Sequence, residues 1–280
     1  MSDVATPKTP LICDDPRLAN ALHYVLENSG KRLRARLVMA SYRMLCEGPE
    51  DSAASAATAI EWLHTYSLVH DDLPAMDNDA LRRGKPTVHT VYDEATAILI
   101  GDGLQTAAFS LISEDDRLPS DTRLKLIALI ANAIGFSGMV GGQALDMAAE
   151  GATSSFEQLR LIHEKKTGAL IKAAVLSGAI CAQATERDMT CLGQFASTIG
   201  LAFQVADDIL DVTQNSATLG KTAGKDVAVE KSTYVSCLGL EGAQKEAEKL
   251  LAEAIACLSP YGESAQPLLN LAIAMVRREH

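Results

Sequence analysis

The sequence predicts an all-α protein, and three observations support that prediction. Apolar residues make up 48% of the 280 residues but aromatic residues only 4%, and alanine and leucine dominate. That composition favours helices over sheets. No proline lies between Pro119 and Pro260, so a long stretch is free of helix breakers. No run of strand length with alternating apolar and polar residues stands out.

Apolar residues at helical spacing fill the stretches between the prolines. The predicted helices lie near residues 18–28, 32–47, 52–72, 88–113, 121–136, 156–183, 188–214, 232–238, 241–258 and 264–278. Gly48 and Pro49 end the second helix, and Ser154 with Glu157 forms a candidate capping box before the sixth. Several helices are apolar on most faces, as are helices that lie at the centre of a large bundle or at a subunit interface. We therefore expect residues 1–280 to form one domain, a single large helical bundle.

Charge and cysteine content restrict the class of protein. The 25 basic and 36 acidic residues give a net charge of −11, which argues against a nucleic-acid binder. The six cysteines are scattered and form no CxxC pair, so we expect reduced thiols. The N-terminus lacks the features of a signal peptide, and no uninterrupted apolar stretch has the length of a membrane span. These features predict a soluble, cytoplasmic protein without a membrane span.

Two aspartate-rich segments about 130 residues apart are the main chemical signal. The second, FQVADDILD, places Asp207 and Asp211 four residues apart on one helix face, and Gln204 and Asp208 have the same spacing. Carboxylates that share a face repel one another unless a cation lies between them. Oxygen ligands of this kind suit magnesium, which also binds substrate phosphates. A helix cap or a surface patch is the ordinary alternative.

The first segment, LVHDDLPAMDNDALRRG, begins at the end of a helical run and includes Asp72. Pro74 disturbs the helix after Asp71, and an unbroken helix would turn Asp77 far from Asp71. We expect the backbone to bulge so that Asp77 returns to the same metal. Arg82 and Arg83 follow and point in different directions, so each could serve a different phosphate group. A loop that is merely rich in aspartate and arginine is the alternative.

Other basic or polar residues could bind phosphate. Lys31 and Arg34 stand at the start of a helix, where anions are favoured. His64 lies two helical turns before Asp71, although a lone helical histidine is more often structural. Further candidates are Lys166, Thr167, Lys221 and Lys231, and a helix cap is the alternative explanation for the segment that begins at Lys231.

Taken together, these segments resemble the trans-isoprenyl diphosphate synthase family, and within it the bacterial farnesyl diphosphate synthases. The resemblance runs from about Gly30 to Tyr234. In order, it rests on GKRLR, HTYSLVHDDLPAMDNDALRRG, the KTG segment, FQVADDILD and LGKTAGKD with EKSTY. It implies an all-α fold around a deep central cavity, usually in a homodimer.

The resemblance also implies ligands and roles. Three Mg²⁺ ions would be bound by Asp71, Asp72, Asp77, Asp207, Asp208 and Asp211. The diphosphate of an allylic substrate, dimethylallyl or geranyl diphosphate, would contact Arg82, Lys166, Thr167, Gln204, Lys221 and Lys231. Isopentenyl diphosphate would contact Lys31, Arg34, His64 and Arg83. The catalytic group would comprise Asp71, Asp72, Asp77, Arg82, Lys166 and Asp207. The reaction would be head-to-tail prenyl transfer.

Chain length of the product would depend on the residues before the first aspartates. Tyr66 lies five positions before Asp71, about 7.5 Å along the helix. With Ser67, it resembles the pocket floor of enzymes that stop at fifteen carbons, so we expect farnesyl diphosphate. The competing interpretation is a tyrosine that only packs in the core.

Three alternatives remain open. The same reaction could end at geranyl or geranylgeranyl diphosphate. A terpene cyclase shares the fold and the aspartates, but it would not need the basic site of Lys31, Arg34 and His64. An inactive partner subunit that regulates a synthase should have lost one aspartate cluster, and this chain keeps both.

Overall fold

The prediction of an all-α fold is confirmed. The computed structural model describes residues 11–28, 30–49, 51–151, 155–213 and 232–277. Its α-helices are α1 Pro16–Glu27, α2 Leu33–Leu45, α3 Asp51–Asp71, α4 Val88–Val91, α5 Glu94–Ser113, α6 Ser120–Ile134, α7 Met139–Ala148, α8 Phe156–His163, α9 Ala169–Cys181, α10 Glu186–Thr213, α11 Tyr234–Cys257 and α12 Gln266–Val276. A π-helical turn, Glu164–Gly168, joins α8 to α9, and a 3₁₀ segment, Ser259–Ala265, precedes α12.

Several element boundaries differ from the sequence prediction. The stretch 88–113 is two helices, because the Asp93 side chain accepts a hydrogen bond from the Thr96 amide at 2.6 Å and starts α5 afresh. The capping box before α8 is formed by Ser155 and Gln158, so the prediction of Ser154 and Glu157 was wrong by one residue. The sequence analysis also missed α7 entirely.

The helices enclose one contiguous apolar core that runs from Ala21 to Met275. Helix α3 lies at its centre, with buried residues on all sides, and packs against α2, α5 and α9. Helix α10 packs against α9 and α11. The first aspartate-rich segment therefore begins at the end of the central helix α3, and the second lies on α10.

A two-stranded ribbon follows α3, with β1 Leu81–Arg82 antiparallel to β2 Lys85–Pro86. Its turn residues, Arg83 and Gly84, both have positive φ angles, 54° and 75°. A two-residue hairpin of type I′ needs this geometry at both positions. The turn fixes the two neighbouring arginines in different directions.

Three helical stretches are long and apolar enough to cross a membrane by length and composition, namely 94–113, 120–148 and 186–213. The sequence analysis had found no such stretch because it required an uninterrupted apolar run, and isolated polar residues such as Asp102 break these three. In the structure, 44%, 28% and 56% of their apolar windows are buried inside the protein. Packing in the core accounts for much of the apolar character of the first and third.

Candidate active site

A cavity of about 450 Å³ lies between α2, α3, α7 and the π-helical turn. It brings together nine residues that the sequence analysis had selected from distant parts of the chain. They are Arg34, His64, Tyr66, Ser67, Asp71, Asp77, Arg82, Lys166 and Thr167. The cavity wall therefore has a charged part, which contains the aspartates and basic groups, and an apolar part, which includes Met139, Val140 and Met147.

The backbone after α3 bulges and returns. The amide of Asp77 donates to the carbonyl of Asp71 at 2.8 Å, and the amide of Asn78 donates to the carbonyl of Leu73 at 3.1 Å. Asn78 adopts a left-handed conformation with φ 51°, which asparagine tolerates better than most residues. The bulge places Asp77 beside Asp71, on the cavity wall.

Asp72 points elsewhere and holds Arg82. Both Nε and Nη2 of Arg82 donate to Oδ1 of Asp72, at 2.8 and 2.5 Å, and Asp72 is buried. Burial alone would lower the pKa of Arg82, but the bond to Asp72 outweighs it and raises that pKa. Asp72 thus anchors a permanently charged guanidinium at the edge of the cavity.

Asp71 is in an electrostatically crowded position. Burial first, and then the neighbouring carboxylates of Asp77 and Asp72, raise its pKa to about 6, against the opposing effects of Lys166 and Arg82. The ionised form of a carboxylate that is buried beside other carboxylates is strongly stabilised by a nearby cation.

The π-helical turn connects the two aspartate-rich segments. Nζ of Lys166 donates to Oδ2 of Asp146 at 2.7 Å, and the pKa of Lys166 is raised because Asp146 and Asp71 outweigh its burial. The next residue, Thr167, donates through its hydroxyl to Oε1 of Gln204 at 2.5 Å. Nε2 of Gln204 in turn donates to Oδ2 of Asp207 at 3.2 Å. One short element thus lies beside both clusters.

The aspartates on α10 have different surroundings. Asp208 is buried, and its Oδ2 accepts the backbone N–H of Tyr234 at 2.7 Å, which fixes the start of α11. Asp207 and Asp211 are only partly buried, and neither lines the cavity.

The basic segment at the start of α2 meets the hairpin. Gly30 has φ 68°, which strains any other residue, and a Cβ there would lie 2.6 Å from Cζ of Arg83 and displace its guanidinium. Nη1 of Arg83 also donates to the carbonyl of Asn28 at 2.8 Å. Arg83 is exposed and does not line the cavity. Lys31 is likewise exposed and outside the cavity lining.

His64 faces the cavity beside Arg34. Burial, and then the positive charges of Arg34, Arg83 and Arg82, lower its pKa well below the usual value. The imidazole is therefore neutral near pH 7 and can hydrogen-bond without adding charge.

Tyr66 is buried on the cavity wall next to Ser67. Its ring meets that of His70 edge to face at 5.7 Å between centroids. Nε2 of His70 lies 3.1 Å from the carbonyl of Ile98, and a Cβ on Gly101 would collide with the His70 ring. Close approach of α5 at Gly101 thus supports the Tyr66 end of the cavity.

Four residues of this region escaped the sequence analysis. His70 and Glu61 are on α3, where Glu61 accepts the Ala35 amide at 2.8 Å and so caps α2. Gln143 and Asp146 are on α7. The segment FSGMVGGQ contains three glycines, which lower helix propensity and hid this helix. Asp146, at the end of GGQALD, was the one feature of this segment that could have indicated a site residue.

Gln143 is 9% exposed and lines the cavity. Among the described residues, neither its Nε2 nor its Oε1 has a hydrogen-bond partner. A buried amide in that state costs about 1–3 kcal/mol.

The oxygen donors in the cavity suit a divalent cation. Within the described ranges, no three carboxylate, imidazole or thiol groups converge into a complete metal site. The cavity nevertheless offers the oxygen donors of Asp71 and Asp77, and the crowding of Asp71 favours a bound cation. The donor chemistry therefore fits a magnesium ion whose remaining ligands come from substrate and water. Lys221 and Lys231 lie outside the described residues.

Comparison with known proteins gives the family. The polyprenyl synthetase family matches residues 15–266. The chain is 48% identical over 232 residues to a farnesyl diphosphate synthase of Geobacillus stearothermophilus, covering 82% of this chain and 78% of that protein. It is 45% identical to a geranylgeranyl diphosphate synthase of Cyanophora paradoxa, covering 93% and 87%.

A solved structure agrees with these relatives. The geranyltransferase of Helicobacter pylori, in complex with magnesium and isoprenyl diphosphate, is 38% identical and superposes with a TM-score of 0.85. The match covers 98% of this chain and 91% of that one. The chain belongs to the polyprenyl synthetase family and is a prenyltransferase.

Proposed function

We propose that the protein condenses isopentenyl diphosphate with dimethylallyl diphosphate and then with geranyl diphosphate, to give farnesyl diphosphate. The observation that carries this proposal is the cavity itself. It combines Asp71, Asp77 and Lys166 with Arg34 and the neutral His64, and its wall also contains apolar side chains and Tyr66. Two phosphate-binding regions and one apolar pocket fit an allylic and an isopentenyl substrate.

Magnesium is the proposed cofactor, with three ions per site. When bound, these ions would neutralise charge on the diphosphate as it leaves. Asp71 and Asp77 would hold one group of ions, and Asp207 and Asp211 the other. Asp72 and Asp208 act in support, since the first is engaged by Arg82 and the second by Tyr234. Lys221 and Lys231 remain proposed diphosphate contacts.

The residues of the chain supply orientation and positive charge. Arg82 and Lys166, each fixed by an aspartate, stabilise the leaving diphosphate, and Thr167 and Gln204 complete that side. The allylic C–O bond breaks and its electron pair leaves with the diphosphate. Isopentenyl diphosphate would be bound through its diphosphate by Arg34, His64, Lys31 and Arg83, and its double bond supplies the electron pair for the new C–C bond. The proton then lost from the adjacent carbon passes to the bound diphosphate.

Product length is proposed from Tyr66. Relatives at similar identity make different products, so similarity alone does not fix the length. The Tyr66 ring is buried, lines the cavity and packs against His70, and these contacts support its proposed role as the floor that limits the product to fifteen carbons.

We also propose a cytoplasmic homodimer that does not span a membrane. Large apolar side chains are exposed on and after α5 and α6, with Leu99 at 55%, Leu124 at 68% and Phe136 at 91%. Exposed apolar groups of this size favour burial against a second copy. The stretch 120–148 is interrupted between α6 and α7, and α10 carries four aspartates.

Substitution of one aspartate from each segment tests the chemistry. Asp71→Asn and Asp207→Asn should each lower kcat/KM with dimethylallyl and isopentenyl diphosphates at least a hundredfold, or about 3 kcal/mol. Asp121→Asn is the matched control, because Asp121 is exposed on α6 and its carboxylate pairs with Lys125 on the protein surface. Unchanged turnover in both variants, or turnover without magnesium, would refute the proposed role of the two segments.

A further inference from the structure

The side-chain amide of Gln143 lies on the cavity wall but has no role in the reaction proposed above. Its side chain lines the cavity and is 9% exposed, yet both amide atoms are without hydrogen-bond partners among the described residues. An unbranched apolar side chain such as methionine would fill the same space without that cost. The amide therefore calls for a partner that the described part of the chain does not supply.

The packing of α7 around Gln143 shows which part of the cavity a hydrogen-bond partner of the amide would occupy. A Cβ on Gly142 would collide with the backbone of Lys166, so α7 presses directly on the π-helical turn at this point. Asp146, three residues after Gln143 and thus on the same helix face, holds Lys166 at 2.7 Å. In the other direction, Met139 and Val140 lie one turn away and also line the cavity. Gln143 is therefore at the boundary between the charged and the apolar parts of the wall.

A substrate at that boundary presents its diphosphate on one side and its allylic carbons on the other. An amide suits both, since it combines an N–H donor with a carbonyl oxygen that carries partial negative charge. The hydrocarbon tail cannot donate to the oxygen, but an allylic group that becomes positive is attracted to it. In a cavity closed to water, this attraction is strong and needs no reorganisation.

We propose that Gln143 is a catalytic residue of the ionisation step. Its N–H group donates to an oxygen of the allylic diphosphate, and its carbonyl oxygen faces the carbons on which positive charge develops. The C–O bond of the substrate breaks and its electron pair leaves with the diphosphate. No bond forms to Gln143, which ends the step unchanged. This inference rests on the proposed function and adds a residue to it.

The test uses Gln143→Met, which keeps the length of the side chain and removes both polar atoms, with Gln194→Met as control because Gln194 is exposed on α10. At saturating substrates, kcat of Gln143→Met should fall about tenfold to a hundredfold, less than for loss of a whole oxyanion-hole donor, because Arg82 and Lys166 remain. KM for isopentenyl diphosphate should stay within about twofold, as expected for an interaction made in the transition state. Diphosphate release from the allylic substrate without isopentenyl diphosphate should fall by the same factor as condensation.

Thermal stability separates a catalytic from a structural role. The thermal midpoint of Gln143→Met should equal or exceed that of the wild type, because an unsatisfied buried amide is removed. A lower midpoint with unchanged kcat, or a loss in condensation without a loss in diphosphate release, would overturn the proposal. Gln143→Leu provides the same comparison if the methionine variant does not fold. If the wild type itself makes no prenyl product, the proposed function fails; if it does and Gln143→Met matches it, only this inference fails.

Discussion

At the scale of single residues, the site depends on charged groups that are fixed by a partner. Arg82 is held by Asp72, and Lys166 by Asp146. Removal of one partner leaves a poorly oriented charge in a partly buried position, which is costly. The sequence motifs identified the two cations and Asp72. They could not identify Asp146, because its role arises only when α7 packs on the π-helical turn.

Tyr66 should control product length. Replacing Tyr66 with alanine removes the ring that closes the apolar end of the cavity, so products longer than fifteen carbons should accumulate. Chromatography of the dephosphorylated products measures this directly. Tyr66→Phe keeps the ring and should keep farnesyl diphosphate as the main product. An unchanged product profile in Tyr66→Ala would show that Tyr66 is only a packed core residue.

His64 should make stability depend on pH. Its pKa is lowered in the folded protein, whereas the unfolded chain has the ordinary value of about 6.5. As the pH falls through 6.5, the unfolded chain binds a proton that the folded protein rejects, so folding stability is lost on acidification. The slope is at most about 1.4 kcal/mol per pH unit.

Urea unfolding of the wild type and His64→Gln between pH 7.5 and 5.5 measures this effect. The stability of the wild type should fall relative to the variant as the pH decreases. Parallel curves for the two proteins would contradict a neutral, buried His64.

At the scale of elements, the π-helical turn and α7 form the part of the site that joins the two aspartate-rich segments. The sequence analysis placed the KTG segment inside one long helix, 156–183, and that helix is divided by the turn. Periodicity cannot reveal one widened turn, since the apolar pattern continues on both sides. Helix α7 was missed for a different reason, because Gly138, Gly141 and Gly142 look like a loop.

Gly142→Ala should damage the site through packing. A methyl group at this position meets the backbone of Lys166, so α7 must move away from the turn and weaken the contact between Asp146 and Lys166. Overpacking of this kind costs about 1–3 kcal/mol. We expect a lower thermal midpoint and about a tenfold loss of kcat/KM, since a group displaced by 1 Å can lose more than that.

Gly103→Ala is the matched control for this change. Gly103 lies in the middle of α5, and a Cβ there meets nothing within 4 Å. Alanine should stabilise the helix by about 0.5–1 kcal/mol and leave activity unchanged. If Gly142→Ala behaved like the control, the close approach of α7 would be unimportant for the site.

At the scale of the whole molecule, composition and helical periodicity were sufficient to predict the fold class. The core runs through nearly all helices without a break, and we propose that residues 1–280 act as one domain. The cavity could be predicted only through the two aspartate-rich segments, because its walls come from helices far apart in the sequence. The position of Asp77 beside Asp71 could be predicted because Pro74 disturbs the helix between them. The position of Gln143 between the charged and apolar parts of the wall could not be predicted, because it depends on how α7 packs.

We propose that this cavity joins an isopentenyl and an allylic diphosphate into a fifteen-carbon product. Incubating the purified protein with isopentenyl and dimethylallyl diphosphates plus magnesium, followed by mass spectrometry of the products, tests it most directly. We predict farnesyl diphosphate as the main product, with geranyl diphosphate as a transient species and inorganic diphosphate released at each condensation. Absence of any prenyl product, or a main product other than farnesyl diphosphate, would contradict the account.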